Sequence, residues 1–171
     1  MAIRPIVKYG TPVLHAPAPP VAEIDGTVAT LLRDMVDTMY AAPGIGLAAP
    51  QIGVPLRVIV VDLSVGEDER QLIQLVNPEL VEKEGQQRHE EGCLSVPGYG
   101  GTPTRPARVV VKGLDLAGKE HVYTGTELLA RAFCHEIDHL DGVLYPMRIR
   151  DLTKFGFNEE LFPGAELPPE D

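Results

Sequence analysis

The segment that most constrains the fold is RAFCHEIDHLDG, residues 131–142. Apolar residues and histidines at helical spacing predict two buried stripes along a helix over 126–142: Leu129, Phe133, Ile137 and Leu140 form one, and Leu128, Ala132, His135 and His139 form the other. Thr126 is suited to cap the start of this helix and Gly142 to end it. A helix that is apolar on so much of its circumference is expected at the centre of the fold, with strands packed around it.

The remainder of the chain predicts the elements that surround this helix. Strand-like runs occur at 56–63, 71–81 and 107–116, and a turn at 117–119 leads into a further run at 120–124. An amphipathic helix is predicted over 25–40, with Asp25 or Thr27 as its N-cap. The expected fold class is α+β, with mostly antiparallel sheets wrapped around a central C-terminal helix that carries H-E-x-x-H.

Composition limits the classes of function. The 171 residues suit a single domain over 1–171, which ends in an acidic, proline-rich tail at 151–171. A net charge of −10 argues against nucleic-acid binding through phosphate contacts, and no run of apolar residues predicts a membrane span. Two cysteines provide no disulfide framework, so we expect a cytoplasmic protein.

The central helix also carries the chemistry. His135 and His139 are four residues apart and therefore share a face, so both imidazoles can bind one metal with Glu136 beside it. The alternative is that the two histidines pack in the core without a metal. A metal site requires at least one more ligand, and the identity of that ligand indicates the chemistry.

Several residues are candidates for the third ligand. Glu159 and Glu160 lie in a proline- and glycine-flanked acidic segment, which is a poor scaffold for a rigid ligand. Cys134 points about 100° away from His135 on the helix, so it cannot share the metal of that histidine. Cys93, in EEGCLSVPG, offers a thiolate that binds zinc or ferrous iron strongly, and the adjacent glycine allows close backbone approach. We therefore favour Cys93.

One cysteine and two histidines leave one tetrahedral position open, which is typical of a catalytic site. Glu136 would then take a proton from water at the metal and pass it to a leaving amine. Two other interpretations remain open: a zinc peptidase that uses H-E-x-x-H, and a metal-binding module without catalytic activity.

Three segments together resemble one family. They are GIGLAAPQ at 44–51, EGCLS at 91–95 and CHEIDH at 134–139, in the order and spacing found in peptide deformylases. These metal enzymes remove the formyl group from the starting methionine of new bacterial proteins. The resemblance extends to about residue 150, and YGTPVL at 9–14 and NPEL at 77–80 agree with it. Cys134 stands where the family has glutamine.

The resemblance implies a role for each matching residue. Cys93, His135 and His139 would bind the metal, Glu136 would be the general acid and base, and the Gln51 side-chain amide with the backbone N–H of Leu94 would stabilise the oxyanion. The implied metal is Fe²⁺, with Zn²⁺, Ni²⁺ or Co²⁺ as substitutes.

The implied substrates are N-formylmethionyl nascent peptides, bound as an added strand. Ile45, Gly46 and Gly92 would contact the peptide backbone, and Leu128, Arg131 and Ala132 would line the methionine pocket. Arg131 stands where an apolar side chain is expected, although its stem can line a pocket while its head reaches water. The acidic tail would be repelled by ribosomal RNA and gives no support for ribosome association.

Arg105 is a candidate for support of the ligands from outside the metal centre. It could pair with Asp138 or with Glu91 and so hold the helix and the Cys93 segment in register. The alternative is a solvated loop arginine.

Overall fold

The structure, a computed structural model, describes residues 2–149 and 155–157. In these ranges the chain forms two α-helices, α1 (Gly26–Ala41) and α2 (Glu127–Leu140), and ten strands: β1 (Gly46–Ala48), β2 (Val58–Val61), β3 (Ile73–Glu84), β4 (Gln87–Arg88), β5 (Glu91–Cys93), β6 (Val96–Gly101), β7 (Thr104–Arg105), β8 (Arg108–Leu114), β9 (Glu120–Thr126) and β10 (Phe155–Phe157). None of the described helices has the length and apolar character needed to cross a membrane.

The main sheet is antiparallel and has the strand order β1-β2-β3-β8-β9. This confirms the predicted class of fold. Strands β2, β3 and β8 overlap the three predicted runs, although β3 continues to Glu84. Its register shifts between Val76 and Glu79, where Asn77 adopts a left-handed φ of 51°. Asparagine tolerates this conformation better than most residues, and its side chain pairs with the backbone of Val21.

Side chains of β2 pack against a helix on each face of the main sheet. All four of its residues are buried. Val58 and Val60 pack with α1, whereas Ile59 and Val61 pack with α2. Because successive strand residues point to opposite faces, this run of valine and isoleucine supplies both cores at once.

Helix α2 occupies the central position that its apolar circumference predicts. Phe133 and Leu140 are fully buried against the sheet. The helix ends near the predicted stop, since Gly142 follows it with a left-handed φ of 77°. The prediction of a buried Leu128 is wrong: this side chain is 39% exposed, because the first turn of the helix reaches the mouth of a surface pocket.

The N-cap of α1 is Asp25 rather than Thr27. Its carboxylate accepts hydrogen bonds from the backbone N–H groups of Thr27 and Val28, at 3.0 and 3.3 Å. Two of the otherwise unpaired N–H groups at the start of the helix are thereby satisfied.

A second, three-stranded sheet has the order β10-β6-β5 and carries Cys93 at the end of β5. Cys93 pairs with Val96 across a tight turn. Residues 155–157 belong to the predicted tail, and they form β10, which pairs with β6. The remainder of the predicted acidic tail at 151–171 lies outside the described residues.

Candidate metal centre and substrate pocket

Three side chains that can ligate a metal converge where the end of β5 meets α2. Cys93 comes from β5, and His135 and His139 come from α2. One potential ligand atom from each lies within 4.8 Å of the other two. Sγ of Cys93 lies 3.3 Å from Nε2 of His139. A thiolate with two imidazoles suits zinc or ferrous iron, so the donor set fits the predicted metal.

Other candidates for the third ligand do not join this group. Cys134 is buried but lies outside the three-residue group, and it lines a separate cavity on another side of α2. Glu159 and Glu160 are outside the described residues.

The electrostatic surroundings of His135 favour a cation. Its Nδ1 lies 3.0 Å from Oε1 of Glu91, which leaves Nε2 for the centre. Burial acts to lower the pKa of His135, but Cys93, Glu91 and Glu136 outweigh this effect and raise that pKa well above its ordinary value. A divalent cation is stabilised by the same negative groups.

Glu136 is buried beside His135. Its Oε2 has no hydrogen-bond partner within the described part of the chain. Burial raises the pKa of Glu136 to about 7, against the opposing effect of His135. A group that must both take and return a proton works best with a pKa in this range.

Arg105 supports the centre from outside. Its Nε and Nη2 each lie 3.0 Å from Glu91 oxygens, and its Nη1 lies 2.5 Å from Oδ2 of Asp138. Asp138 also accepts a 2.9 Å bond from Arg148. Although burial opposes its charge, Glu91 and Asp138 raise the pKa of Arg105. Arg105 therefore pairs with both predicted carboxylates, and it joins β5, which carries Cys93, to α2, which carries the histidines.

Gln51 lies in the 3₁₀ turn Ala49–Ile52, and its side-chain amide reaches the metal centre. Its Oε1 accepts a 2.9 Å bond from the backbone N–H of Ala48. This bond turns Nε2 toward the centre, 3.7 Å from Sγ of Cys93 and 3.3 Å from Oγ of Ser95. The amide can therefore donate toward a group that binds beside Cys93.

Gly46 packs directly against the side chain of Glu136. A Cβ added to Gly46 would lie 2.7 Å from Oε1 of Glu136. Only glycine leaves room for the observed carboxylate position.

A pocket of about 290 Å³ opens beside the three ligands. Its lining includes every residue predicted to bind substrate: Ile45, Gly46, Gly92, Leu128, Arg131 and Ala132. Gln51, Cys93, Leu94, His135 and Glu136 also line it. The predicted site residues are thus brought together. His139 is fully buried and does not line the pocket, but its Nε2 lies 3.3 Å from Sγ of Cys93.

Sequence reasoning missed three contributors to the site. Ser95 contacts the Gln51 amide, Gln87 bonds Arg131, and the ring of Tyr145 stacks on His135 at a centroid distance of 6.1 Å. Ser95 could have been found, because it lies inside the EGCLS motif. Gln87 and Tyr145 carry no local signal, since their roles depend on long-range contacts.

The fold and site together are those of a metal-dependent hydrolase of the H-E-x-x-H type, in which a cysteine and two histidines form a group that can bind a metal. Residues 3–155 match the polypeptide deformylase family. The chain belongs to that family and is an enzyme.

Similar proteins agree over nearly the whole length. The chain is 51% identical over 154 residues to the peptide deformylase of Acidobacterium capsulatum, which covers 90% of this chain and 91% of the relative. It is 50% identical to that of Thermodesulfovibrio yellowstonii, over 94% of this chain and 97% of the relative. The crystal structure of a peptide deformylase from Legionella pneumophila superposes with a TM-score of 0.84 at 46% identity, over 90% of this chain and 89% of the other. A peptide deformylase from Synechococcus elongatus in complex with actinonin gives a TM-score of 0.83 at 38% identity, over 87% and 82%.

Proposed function

We propose that this enzyme removes the N-formyl group from the initiator methionine of nascent polypeptides and releases formate. The observation that carries the proposal is the convergence of Cys93, His135 and His139 beside a buried Glu136, at a pocket in a chain of the deformylase family. Neither a peptidase nor a binding module accounts for the cysteine and the glutamine loop together.

Cys93, His135 and His139 hold the metal in this proposal. We take Fe²⁺ as the native ion, as the resemblance to deformylases implies. Zn²⁺, Ni²⁺ or Co²⁺ are substitutes, because thiolate and imidazole ligands suit divalent ions of this series. When bound, the ion supplies a Lewis acid that polarises the formyl carbonyl and makes water more acidic.

The protein groups move the protons and stabilise the charge. Glu136 takes a proton from the attacking water and delivers it to the leaving amine nitrogen as the C–N bond breaks. Nε2 of Gln51 and the backbone N–H of Leu94 donate to the formyl oxygen as it becomes negative. The bond from Ala48 to Gln51 holds that amide in the donating orientation before the substrate arrives.

The substrate peptide adds to the β1 edge of the main sheet. Strand β1 is the terminal strand of that sheet as described; Gly46 begins it and Ile45 directly precedes it. Backbone hydrogen bonds from this edge and from Gly92 hold the peptide. Its methionine enters the pocket lined by Leu128, Arg131 and Ala132.

The cellular setting follows from the substrate. N-formylmethionyl nascent chains are the partners of a single-domain, cytoplasmic enzyme over residues 1–171, and no direct contact with nucleic acid or membrane is required. The acidic residues of 151–171 give no support for docking on ribosomal RNA.

Formate release from formyl-Met-Ala-Ser tests the proposal. The protein is purified anaerobically with ferrous iron, and acetyl-Met-Ala-Ser and an unblocked internal peptide bond serve as controls. Formate release with neither control cleaved supports a deformylase. Cleavage of the peptide bond indicates a peptidase, and no turnover at full metal content indicates a binding module.

The Glu136→Gln variant tests the assignment of the proton carrier. It keeps the shape of the side chain but cannot take a proton, so we expect kcat to fall about 10²–10⁴-fold with metal content unchanged. Glu82→Gln, at an exposed position on β3, is the matched control and should retain parental kcat. Parental activity in Glu136→Gln contradicts the role.

A further inference from the structure

A cation lies on the wall of the substrate pocket, and no described residue offers it a carboxylate partner. Arg131 is half-buried and lines the pocket beside Leu128 and Ala132. Its Nη1 donates a 2.8 Å hydrogen bond to Oε1 of Gln87, which is a neutral group. None of the ion pairs between described residues includes this guanidinium. Arg105 and Arg148, by contrast, are both paired with carboxylates.

The guanidinium is held in place. Nε2 of Gln87 donates 2.9 Å hydrogen bonds to the backbone carbonyls of Pro106 and Glu127, so its Oε1 is turned toward Arg131. An arginine carries five N–H donors, and Gln87 accepts from one nitrogen only. The remaining donors have no acceptor among the described residues, and the orientation of the group is set before a ligand binds.

Arg131 is placed near the far end of a bound methionine side chain. It precedes the metal-ligand candidate His135 by four residues, which is about 6 Å toward the start of α2. Helical side chains lean toward the helix N-terminus, so the Arg131 head lies farther from the metal centre than its Cα. In the proposed mode of binding, a substrate whose formyl group lies at the centre extends its first side chain along this face, past Ala132.

We propose that Arg131 makes the enzyme accept peptides whose N-terminal formylmethionine has been oxidised to the sulfoxide. The inference rests on the proposed deformylase function. A sulfoxide keeps the unbranched length of methionine but replaces the weakly accepting sulfur with a strongly accepting oxygen. The guanidinium donates to that oxygen.

The chemistry at the formyl group is unchanged by this substrate. Water cleaves the amide C–N bond, its oxygen ends in formate, and its proton passes to the amine. The sulfoxide is neither reduced nor displaced, so no further reactant is needed.

A bound thioether leaves the other N–H donors of Arg131 without an acceptor in the pocket. When a thioether displaces water from the pocket, the freed N–H groups of Arg131 gain no new acceptor, and this is costly in an apolar setting. A sulfoxide oxygen restores a charge-assisted hydrogen bond, which corresponds to an effect on the order of tenfold in affinity. The sulfoxide is also chiral, so a fixed guanidinium distinguishes its two epimers.

The test compares kcat/KM for formyl-Met-Ala-Ser with kcat/KM for each sulfoxide epimer of the same peptide, using the ferrous holoenzyme. In the parent we expect one epimer to be hydrolysed at least as efficiently as the thioether, and the other less efficiently. In Arg131→Met, which keeps an apolar stem without donors, the ratio for the preferred epimer should fall on the order of tenfold, and the epimers should converge. Gln87→Leu, which releases the guanidinium, should also reduce epimer discrimination.

Arg70→Met is the matched control. Its side chain is 90% exposed, pairs with Asp68 and does not line the pocket, so both ratios should equal those of the parent. Equal ratios in the parent and Arg131→Met, with formyl-Met-Ala-Ser turned over normally, would overturn the inference and leave the deformylase function intact. Formate release from none of the peptides would refute the proposed function itself.

Discussion

At the scale of single residues, Gly46 controls the position of Glu136. The absent side chain leaves the space that the carboxylate occupies, since a Cβ would lie 2.7 Å from Oε1. Glu136 is buried and packed, so it could yield only by leaving its position beside His135.

Gly46→Ala is therefore expected to impair catalysis more than folding. A displacement of about 1 Å in a catalytic group can cost about 10²-fold in rate, so we expect kcat to fall by at least about tenfold. Steady-state formate release and the thermal midpoint would be measured on the same preparation. Gly26→Ala, whose added Cβ meets nothing within 4 Å at the start of α1, should keep both. An unchanged kcat in Gly46→Ala would show that Glu136 has more freedom than its packing indicates.

At the scale of elements, the end of α2 depends on a glycine for two reasons. Gly142 has a φ of 77°, and an added Cβ would lie 2.9 Å from the backbone N of Ala16. The same residue thus reverses the chain and allows the segment near Ala16 to approach the helix end.

Gly142→Ala should lower the free energy of unfolding by roughly 1–3 kcal/mol, because it combines strain at positive φ with a backbone clash. Gly118, in the β8–β9 turn, has the same φ of 77° but open space around it. Gly118→Ala therefore reports the conformational strain alone, and urea unfolding of the two variants separates the clash from the strain. Equal losses would mean that the contact with Ala16 relaxes without cost.

Arg105 joins the elements that carry the metal ligands. Its planar fork bonds Glu91 on β5 and Asp138 on α2 at once, and its side chain is 3% exposed. A lysine ammonium keeps the charge but cannot reproduce that two-sided geometry.

Arg105→Lys is accordingly expected to weaken metal affinity by about 10–100-fold, as for other outer supports of metal ligands. Metal retained after dialysis against graded chelator is the measurement. Arg108→Lys is the control, since Arg108 makes an ion pair of 3.6 Å with the exposed Glu84. Parental metal affinity in Arg105→Lys would limit Arg105 to a role in stability.

At the scale of the whole molecule, residues 2–9 form an N-terminal arm. This arm links α1 to the two segments that carry Gln51 and Ser95. Asp34 on α1 accepts from the backbone N–H of Ala2 and from Arg4. Farther along the arm, the N–H of Val7 donates to the carbonyl of Gln51, and the N–H of Tyr9 donates to that of Ser95. The arm therefore backs both loops that shape the centre.

This arrangement predicts a dependence of stability on pH. Hydrogen bonding from Arg4 lowers the pKa of Asp34 below its usual 3.8. Since the folded-state pKa is the lower one, ionised Asp34 stabilises the fold above that usual value, and the contribution is lost as the pH falls through the folded-state pKa.

The stability difference between the parent and Asp34→Asn should thus be largest near neutral pH and should shrink below pH 3.8. Urea unfolding at a series of pH values measures it. Asp37→Asn, on the same helix but outside this ion pair, should show no such trend. A difference that does not change with pH would exclude the ion pair as its source.

Features that depend on local spacing could be predicted from the sequence. The i, i+4 placement of His135 and His139, the strand runs around them and the turn at Gly142 all follow from periodicity and backbone preference over a few residues. Cys93 was accessible as a ligand because glycine and polar neighbours distinguish it from a core cysteine.

How these segments pack against one another became known only from the folded structure. It showed that Arg105 bonds both Glu91 and Asp138, that Gln87 holds Arg131, that β10 joins β6, and that Leu128 is exposed at a pocket mouth. The contacts join residues that are far apart in the sequence, and the exposure of Leu128 likewise depends on where distant segments pack. Local periodicity contains no information about that arrangement, because it emerges only when the helix and the sheets pack against one another.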